Sequence, residues 1–236
     1  MGRVFFMVHY MKGVKSMKKA ARIRKMKVPQ ANEKYGDRLP PGQVLTERFP
    51  ILHEGEVPVY DMTTWDLKVF GKVEQEITVS YEDILALPQK QVTCDIHCVT
   101  RWSRFDNTFE GVLMKDFMKE LGIHPKSEYV MLHGDHDYTT NIHLHDLIQH
   151  NVLLAHSVDG EKLTAKHGFP LRLVVPHLYF WKSIKWIRGI EFIQEDAPGF
   201  WELNGFHNHA DPFKEERFSG EDLDLPDDEW EKKEYD

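Results

Sequence analysis

The sequence has no stretch approaching the roughly eighteen consecutive apolar residues of a transmembrane helix, which excludes a span of that kind. It has only two cysteines, Cys94 and Cys98, too few for a disulfide framework. Collagen, heptad and short-period repeat patterns are missing. So are a Gly-rich P-loop, a Rossmann fingerprint, an H-E-x-x-H pair and a Gly-x-Ser-x-Gly elbow, so the chemistries those motifs carry lack their mark here. Acidic residues are missing from residues 1–30, which hold nine Lys or Arg. The short apolar run Val4–Val8 with only Arg3 before it does not make a secretory signal, and no twin arginines occur. The expected location is therefore the cytoplasm.

What is present is enough for a real core. Of 236 residues, 41% are hydrophobic and 12% aromatic, with six Trp and fourteen Phe, so global disorder is excluded. The net charge of −8 is unevenly spread. Residues 1–30 carry +9, whereas residues 215–236 carry eleven acidic and three basic side chains. Both ends are expected to be solvated. A basic head is also able to meet nucleic acid or an anionic membrane.

Strand patterns dominate. Trp65–Phe70 alternates, Glu76–Val79 and Gln91–Ile96 are β-rich, and Glu128–His133 reads as another strand. Ser80 caps a short helix Tyr81–Leu87, with Asp83 at its third position and Pro88 as its stop. Gly111–Leu121 reads as a helix ended by Gly122, and His145–Gln149 as a helical turn. Asp159-Gly160 marks a hairpin between Val152–Ser157 and Glu161–Leu163. Leu171–Val175 and Lys185–Ile193 complete the strands. Regular strand–helix alternation is missing, which argues against a doubly wound sheet. The expected fold is α+β, a mixed and partly barrel-like sheet with short helices.

Three groups of residues offer chemistry. Cys98 ends a strand beside Thr100, Arg101 and Ser103, where a thiolate has cationic company. Taken alone, it is equally a small buried hydrophobe. Cys94 stands about 13 Å away along an extended chain, too far to share a metal, and reads as structural. Seven of fourteen histidines fall between His124 and His156. His143 and His145 share a strand face, as zinc ligands do, but no third ligand follows at a zinc spacing. Lastly, Arg172, Lys182, Ser183 and Lys185 gather beside aromatic residues, a set able to hold a phosphate or to form a solvated strand edge.

Taken together, four blocks carry a resemblance. They are His97-Cys98-Val99-Thr100-Arg101-Trp102-Ser103, His167-Gly168-Phe169-Pro170-Leu171-Arg172-Leu173-Val174-Val175-Pro176, Trp181-Lys182-Ser183-Ile184-Lys185-Trp186-Ile187 and Phe200–Asn208. In this order they resemble the oxidoreductase molybdopterin-binding domain, the catalytic fold of sulfite oxidase, and in particular its haem-free bacterial and archaeal type. The resemblance implies molybdenum held by one molybdopterin dithiolene and by one cysteine, which maps to Cys98. It implies pterin and phosphate contacts from His167, Arg172, Ser183, Ile184 and Lys185. A further pterin contact maps to His53 and Glu54, with His53 where relatives often carry Asn. Arg101 and His207 map near the substrate.

The implied reaction is oxygen-atom transfer on a small sulfur- or nitrogen-oxo compound, of the sulfite-oxidase or sulfoxide-reductase kind. The implied partners are that small molecule and an electron donor or acceptor protein. Haem, membrane span and nucleic acid are not expected. The implied division is a basic, Pro/Gly-rich extension at 1–44, the molybdopterin-binding domain at 45–212 and an acidic tail at 213–236. The family's exported methionine sulfoxide reductase carries a twin-Arg signal and Asn at the place of His167, so neither sulfite nor methionine sulfoxide follows. Two other readings stand beside this one. The first is a zinc protein or hydrolase built on His133, His136, His143 and His145. The second is a non-catalytic module whose working part is the basic head.

Overall fold

Alternation at Trp65–Phe70 puts Trp65, Leu67 and Val69 on one face, and all three are buried in the computed structural model. The structure describes residues 19–28, 33–53 and 55–220. The first strands are β1 (Val44–Leu45), β2 (Asp66–Gly71), β3 (Ile77–Ser80), β4 (Lys90–His97) and β5 (Trp102–Leu113). Then come β6 (Tyr129–Gly134), β7 (Thr139–His143), β8 (Leu153–Val158), β9 (Glu161–Lys162), β10 (Arg172–Val174) and β11 (Ile187–Ile193). Helices are short: α1 at residues 19–24, α2 (Tyr81–Ala86), α3 (Met114–Glu120), α4 (Leu144–Leu147) and α5 (Phe200–Leu203).

Two mixed sheets result. One runs β1-β5-β8-β10, with β4 added on β5 and β9 on β8. The other runs β3-β2-β11-β6-β7. β1/β5 and β2/β11 are parallel, and the other paired strands are antiparallel. The α+β class with short helices is as the patterning indicates, arranged as two sheets with open strand orders. Their main core gathers Leu67, Val69, Val112, Phe117, Leu132, Leu154, Leu173 and Ile190.

Local signals explain several elements. Ser80 accepts from Asp83 N, and Asp83 accepts from Ser80 N, a complete capping box for α2. Asp159 and Gly160 both take positive φ, which a two-residue hairpin with this twist requires. The helix expected from Gly111 starts later, at Met114, because 111–113 continue β5. A Cβ at Gly111 would strike the Leu154 carbonyl of the neighbouring strand. The strand expected from Lys185 starts at Ile187, since Trp186 adopts φ 55° and breaks the alternation.

The described parts of the two ends pack on the body. Ala20 and Ile23 of α1 are buried. Beyond residue 212, Phe218 bridges Phe206 and Arg217 is 3% exposed. Most of the basic head and the acidic run after Gly220 lie outside the described residues, as does Glu54.

Candidate active site

Cys98 sits at the tip of the β4–β5 hairpin. Its N–H donates to Trp102 O (2.9 Å), and Arg101 N–H donates to Cys98 O (3.0 Å), closing a four-residue turn. Arg101 takes φ 71° there. The turn is held from behind: Gln43 Nε2 donates to Cys98 O (3.0 Å), and Arg217 Nη1 donates to Val99 O (3.1 Å). Thr100 Oγ1 donates to the Cys98 sulfur at 3.1 Å. Burial raises the thiol's pKa, while Thr100, Lys19 and Arg217 pull it back toward the thiolate. Cys94 packs beside Ile96 and Phe109, and its pKa is pushed up to about 12 by burial and Asp95, which leaves it an inert thiol.

Cys98 opens onto a pocket of about 850 Å³, mouth included. Phe49, Trp102, Tyr138, Phe180, Trp181, Trp186, Trp201 and Phe206 supply aromatic walls. Lys19, Arg172 and Lys185 bring positive charge, and among the described residues no carboxylate lines it.

The cationic wall comes from the turn before β10 and from the 183–185 segment. Arg172 donates to His167 O (3.0 Å) and Ser183 O (2.8 Å), with its guanidinium 4.3 Å above the Phe180 ring. Lys185 Nζ donates to Leu52 O (2.8 Å) and Lys166 O (2.9 Å). An ammonium carries three protons, so one is left for a ligand. Burial is the main cause that lowers the pKa of Lys185, to about 7, helped by Arg172 and Lys19. His167 stacks on Phe49 (4.4 Å between ring centroids) and donates through Nε2 to Phe49 O (3.3 Å). His53 donates to Gly55 O (3.0 Å) and meets Trp186 edge-on. Burial lowers both imidazole pKa values, favouring the neutral rings.

Of the residues singled out in the sequence, Cys98, His53, His167, Arg172, Ser183 and Lys185 meet in this pocket. Ile184 instead lies in the main core at 1% exposure. Arg101 is 7% exposed and folds back toward Gly42 O (3.4 Å), outside the pocket lining. His207 also stands apart; its Nδ1 accepts from the N–H groups of His209 and Ala210. Lys182 is turned away into a buried pair with Glu202. Lys19, Ile23 and Tyr138 line the pocket without having been marked by any motif.

The histidine-rich stretch does not converge. His143 caps α4 through its Nδ1, and His133 pairs with Glu191. Among the described residues no three His, Cys, Asp or Glu gather as metal ligands.

A phosphorylated, polycyclic, sulfur-bearing ligand fits this lining. Arg172 Nε and Trp102 Nε1 belong to lining residues and are buried with no acceptor among the described residues, an unmet demand of the kind an acceptor-rich ligand would answer. The flat aromatic walls suit a fused ring, and the cations suit a phosphate.

Comparison with known proteins agrees. The oxidoreductase molybdopterin binding domain matches residues 54–201, well over half of the chain. An uncharacterized oxidoreductase, YuiH, of Bacillus subtilis is 50% identical over 183 residues, covering 77% of this chain and 92% of that one. A putative protein-methionine-sulfoxide reductase subunit, YedZ1, of Azospira oryzae is 31% identical over 172 residues, covering 71% of this chain and 64% of that one. The sulfane dehydrogenase SoxCD of Paracoccus pantotrophus shares the fold, with TM-score 0.55 at 21% identity, over 61% of this chain and 41% of that one. The chain therefore belongs to the oxidoreductase molybdopterin binding domain family, with molybdenum-bearing molybdopterin as its cofactor.

Proposed function

We propose that the chain is a cytoplasmic oxidoreductase that transfers an oxygen atom to or from a small sulfur- or nitrogen-oxo substrate. The observation that carries this reading is Cys98, buried at a hairpin tip and opening into the same pocket as Arg172 and Lys185, which no carboxylate lines among the described residues. The cofactor, when bound, supplies two-electron oxygen-atom exchange. The 31% relation to a methionine-sulfoxide reductase subunit supports a sulfur-oxo substrate. Among the described residues no helix is long and apolar enough to cross a membrane.

The chain's own residues then have distinct tasks. Cys98 offers the single thiolate, held in place by Thr100, Gln43 and Arg217. Arg172 and Lys185 hold the phosphate by charge and by their free N–H groups, and His53, His167 and Ser183 complete that wall. The aromatic walls keep bulk water from the reacting centre. Arg101 and His207 reach it only indirectly, by shaping the Cys98 turn and the 207–210 loop. The packing of residues 19–24 and 213–220 supports counting both with the catalytic unit rather than with the extension and the tail. An electron donor or acceptor protein completes the cycle.

Molybdenum and pterin content, measured on protein from a host that makes the cofactor, test this reading. About one of each per chain is expected. Cys98→Ser should abolish activity and perturb the metal, while Cys94→Ser keeps both. Equal loss in the two variants removes Cys98 from the role, and wild-type protein without molybdenum removes the enzyme reading.

A further inference from the structure

Helix α1 lies in the basic head, before the stretch 54–201 that matches the family. Its charge reads as a solvated tail, yet Ala20 is 0% and Ile23 4% exposed. Both belong to the buried cluster of Cys98, Val99, Trp181, Trp201 and Phe206, and Ile23 lines the pocket. Arg24 fastens the helix to the other end of the chain: Nη2 donates to Ser219 O at 2.8 Å, and the guanidinium lies 4.8 Å from the Phe218 ring centroid. Phe218 in turn meets Phe206 edge-on (5.8 Å between ring centroids), and Phe206 stacks on Trp201 (4.9 Å). Phe206 and Trp201 are pocket walls, whereas Arg24 and Phe218 lie outside the lining.

A helix at residues 19–24 is too short to hold its shape alone. It is therefore helical only while docked, and lifting it off unfolds it. Its apolar grip is small: Ala20, Ala21 and Ile23 are its buried hydrophobic residues. None of them belongs to the main core between the sheets, so α1 can lift while the body stays folded. A ligand that fills the pocket meets Ile23 and adds to this grip. Linkage makes the effect mutual, since a ligand that favours the docked helix is held more tightly by it.

We propose that α1 is a strap, which lifts to admit the molybdopterin cofactor and docks over the loaded pocket to retain it, with Arg24 and Phe218 as its clasp. This rests on the reading of the pocket as the seat of the cofactor. It goes beyond that reading by giving the basic head a part in loading and retention.

The test uses the full chain, made in a host with the cofactor and in a host without it. Brief trypsin treatment is scored by mass for cleavage after Arg22 and Lys25, which reports the lifted population of α1. Holoenzyme should be cut about tenfold more slowly than cofactor-free protein. Pterin release is then followed by fluorescence in wild type, Ile23→Asp, Arg24→Met and the surface control Lys162→Gln, with melting curves to show that each body is folded. Ile23→Asp and Arg24→Met should both release pterin about tenfold faster, and Lys162→Gln should match wild type. Equal cleavage with and without bound pterin overturns the proposal. So does wild-type release in Arg24→Met: a faster Ile23→Asp alone would make Ile23 a wall contact of the ligand and α1 a fixed part of the fold. Failure of the underlying reading shows differently, as wild-type protein that takes up no pterin in the competent host, and the strap falls with it.

Discussion

Arg172 and Lys185 face each other across an isolated antiparallel bridge, so two like charges are held side by side on one wall of the pocket. No carboxylate among the described lining residues neutralises them. Such a pair is poised for an anion, and it makes binding depend on pH.

Lys185 is the member of that pair that titrates near neutrality, at about 7, because burial and the neighbouring cations disfavour its charge. Its value lies below that of an unfolded lysine, 10.5, so between these limits the cofactor-free protein holds it largely neutral. An anion binds the protonated form. Sulfate affinity of cofactor-free protein should therefore fall as pH rises above about 7, by up to about tenfold per unit. Lys185→Met should flatten this slope. Titration calorimetry in two buffers of different ionisation enthalpy will show the matching proton uptake.

Gly168 makes this wall possible. Its φ is 112°, and a Cβ there would stand 3.1 Å from Arg172 Cβ and 3.2 Å from Lys185 Cβ. An added methyl group meets both backbone strain and the two residues that hold the anion. Gly168→Ala is expected to destabilise the protein by about 1–3 kcal/mol and to lower pterin content. Urea unfolding together with pterin fluorescence checks both effects.

Some of this was open to sequence reasoning. Ser80 with Asp83, Asp159-Gly160 and Gly122 are local signals, and each sits where its chemistry says. Cys98 at a strand end and the pair Arg172/Lys185 were visible as residue types near turns. Other features depend on contacts between distant segments. Residues 111–113 read as the start of a helix and 104–110 carried no assigned element, whereas cross-strand partners on β4 and β8 draw 102–113 into one long strand. The sign of charge made α1 look solvated, because Ala20 and Ile23 find their partners only in the folded protein. Lys182 stood among phosphate-binding candidates until the fold turned it inward.

His209 gives a second pH signature. It stands 2.7 Å from Glu216 and 3.5 Å from Asp146, and these two carboxylates raise its pKa to about 9. A folded value above the unfolded one gives stability that is complete below pH 6.5 and lost as pH rises through 9. The group is partly exposed, so salt should weaken the effect. His209→Asn is expected to remove part of the fall in melting temperature between pH 6.5 and 9, and that difference is read from melting curves across this range.

Lys182 and Glu202 should show how strongly the chamber depends on a buried charge pair. Their charged atoms are 2.7 Å apart, and the side chains are 1% and 2% exposed. Lys182 also donates to Asn141 O, Asn141 Oδ1 and Asn208 O, while Glu202 Oε1 accepts from Thr140 and Trp181. The pair thus ties β7, the Trp181 wall, α5 and the 208 loop together. Removing one partner leaves the other charge buried and unpaired, so Lys182→Met should cost about 3–5 kcal/mol. Removing both charges with matched apolar volume should recover much of that loss. A double-mutant cycle by urea unfolding, with Lys182→Met, Glu202→Leu and the double variant, measures the coupling. If the double variant is no more stable than Lys182→Met, the other hydrogen bonds of Lys182 and Glu202 hold this junction, rather than the charge pair.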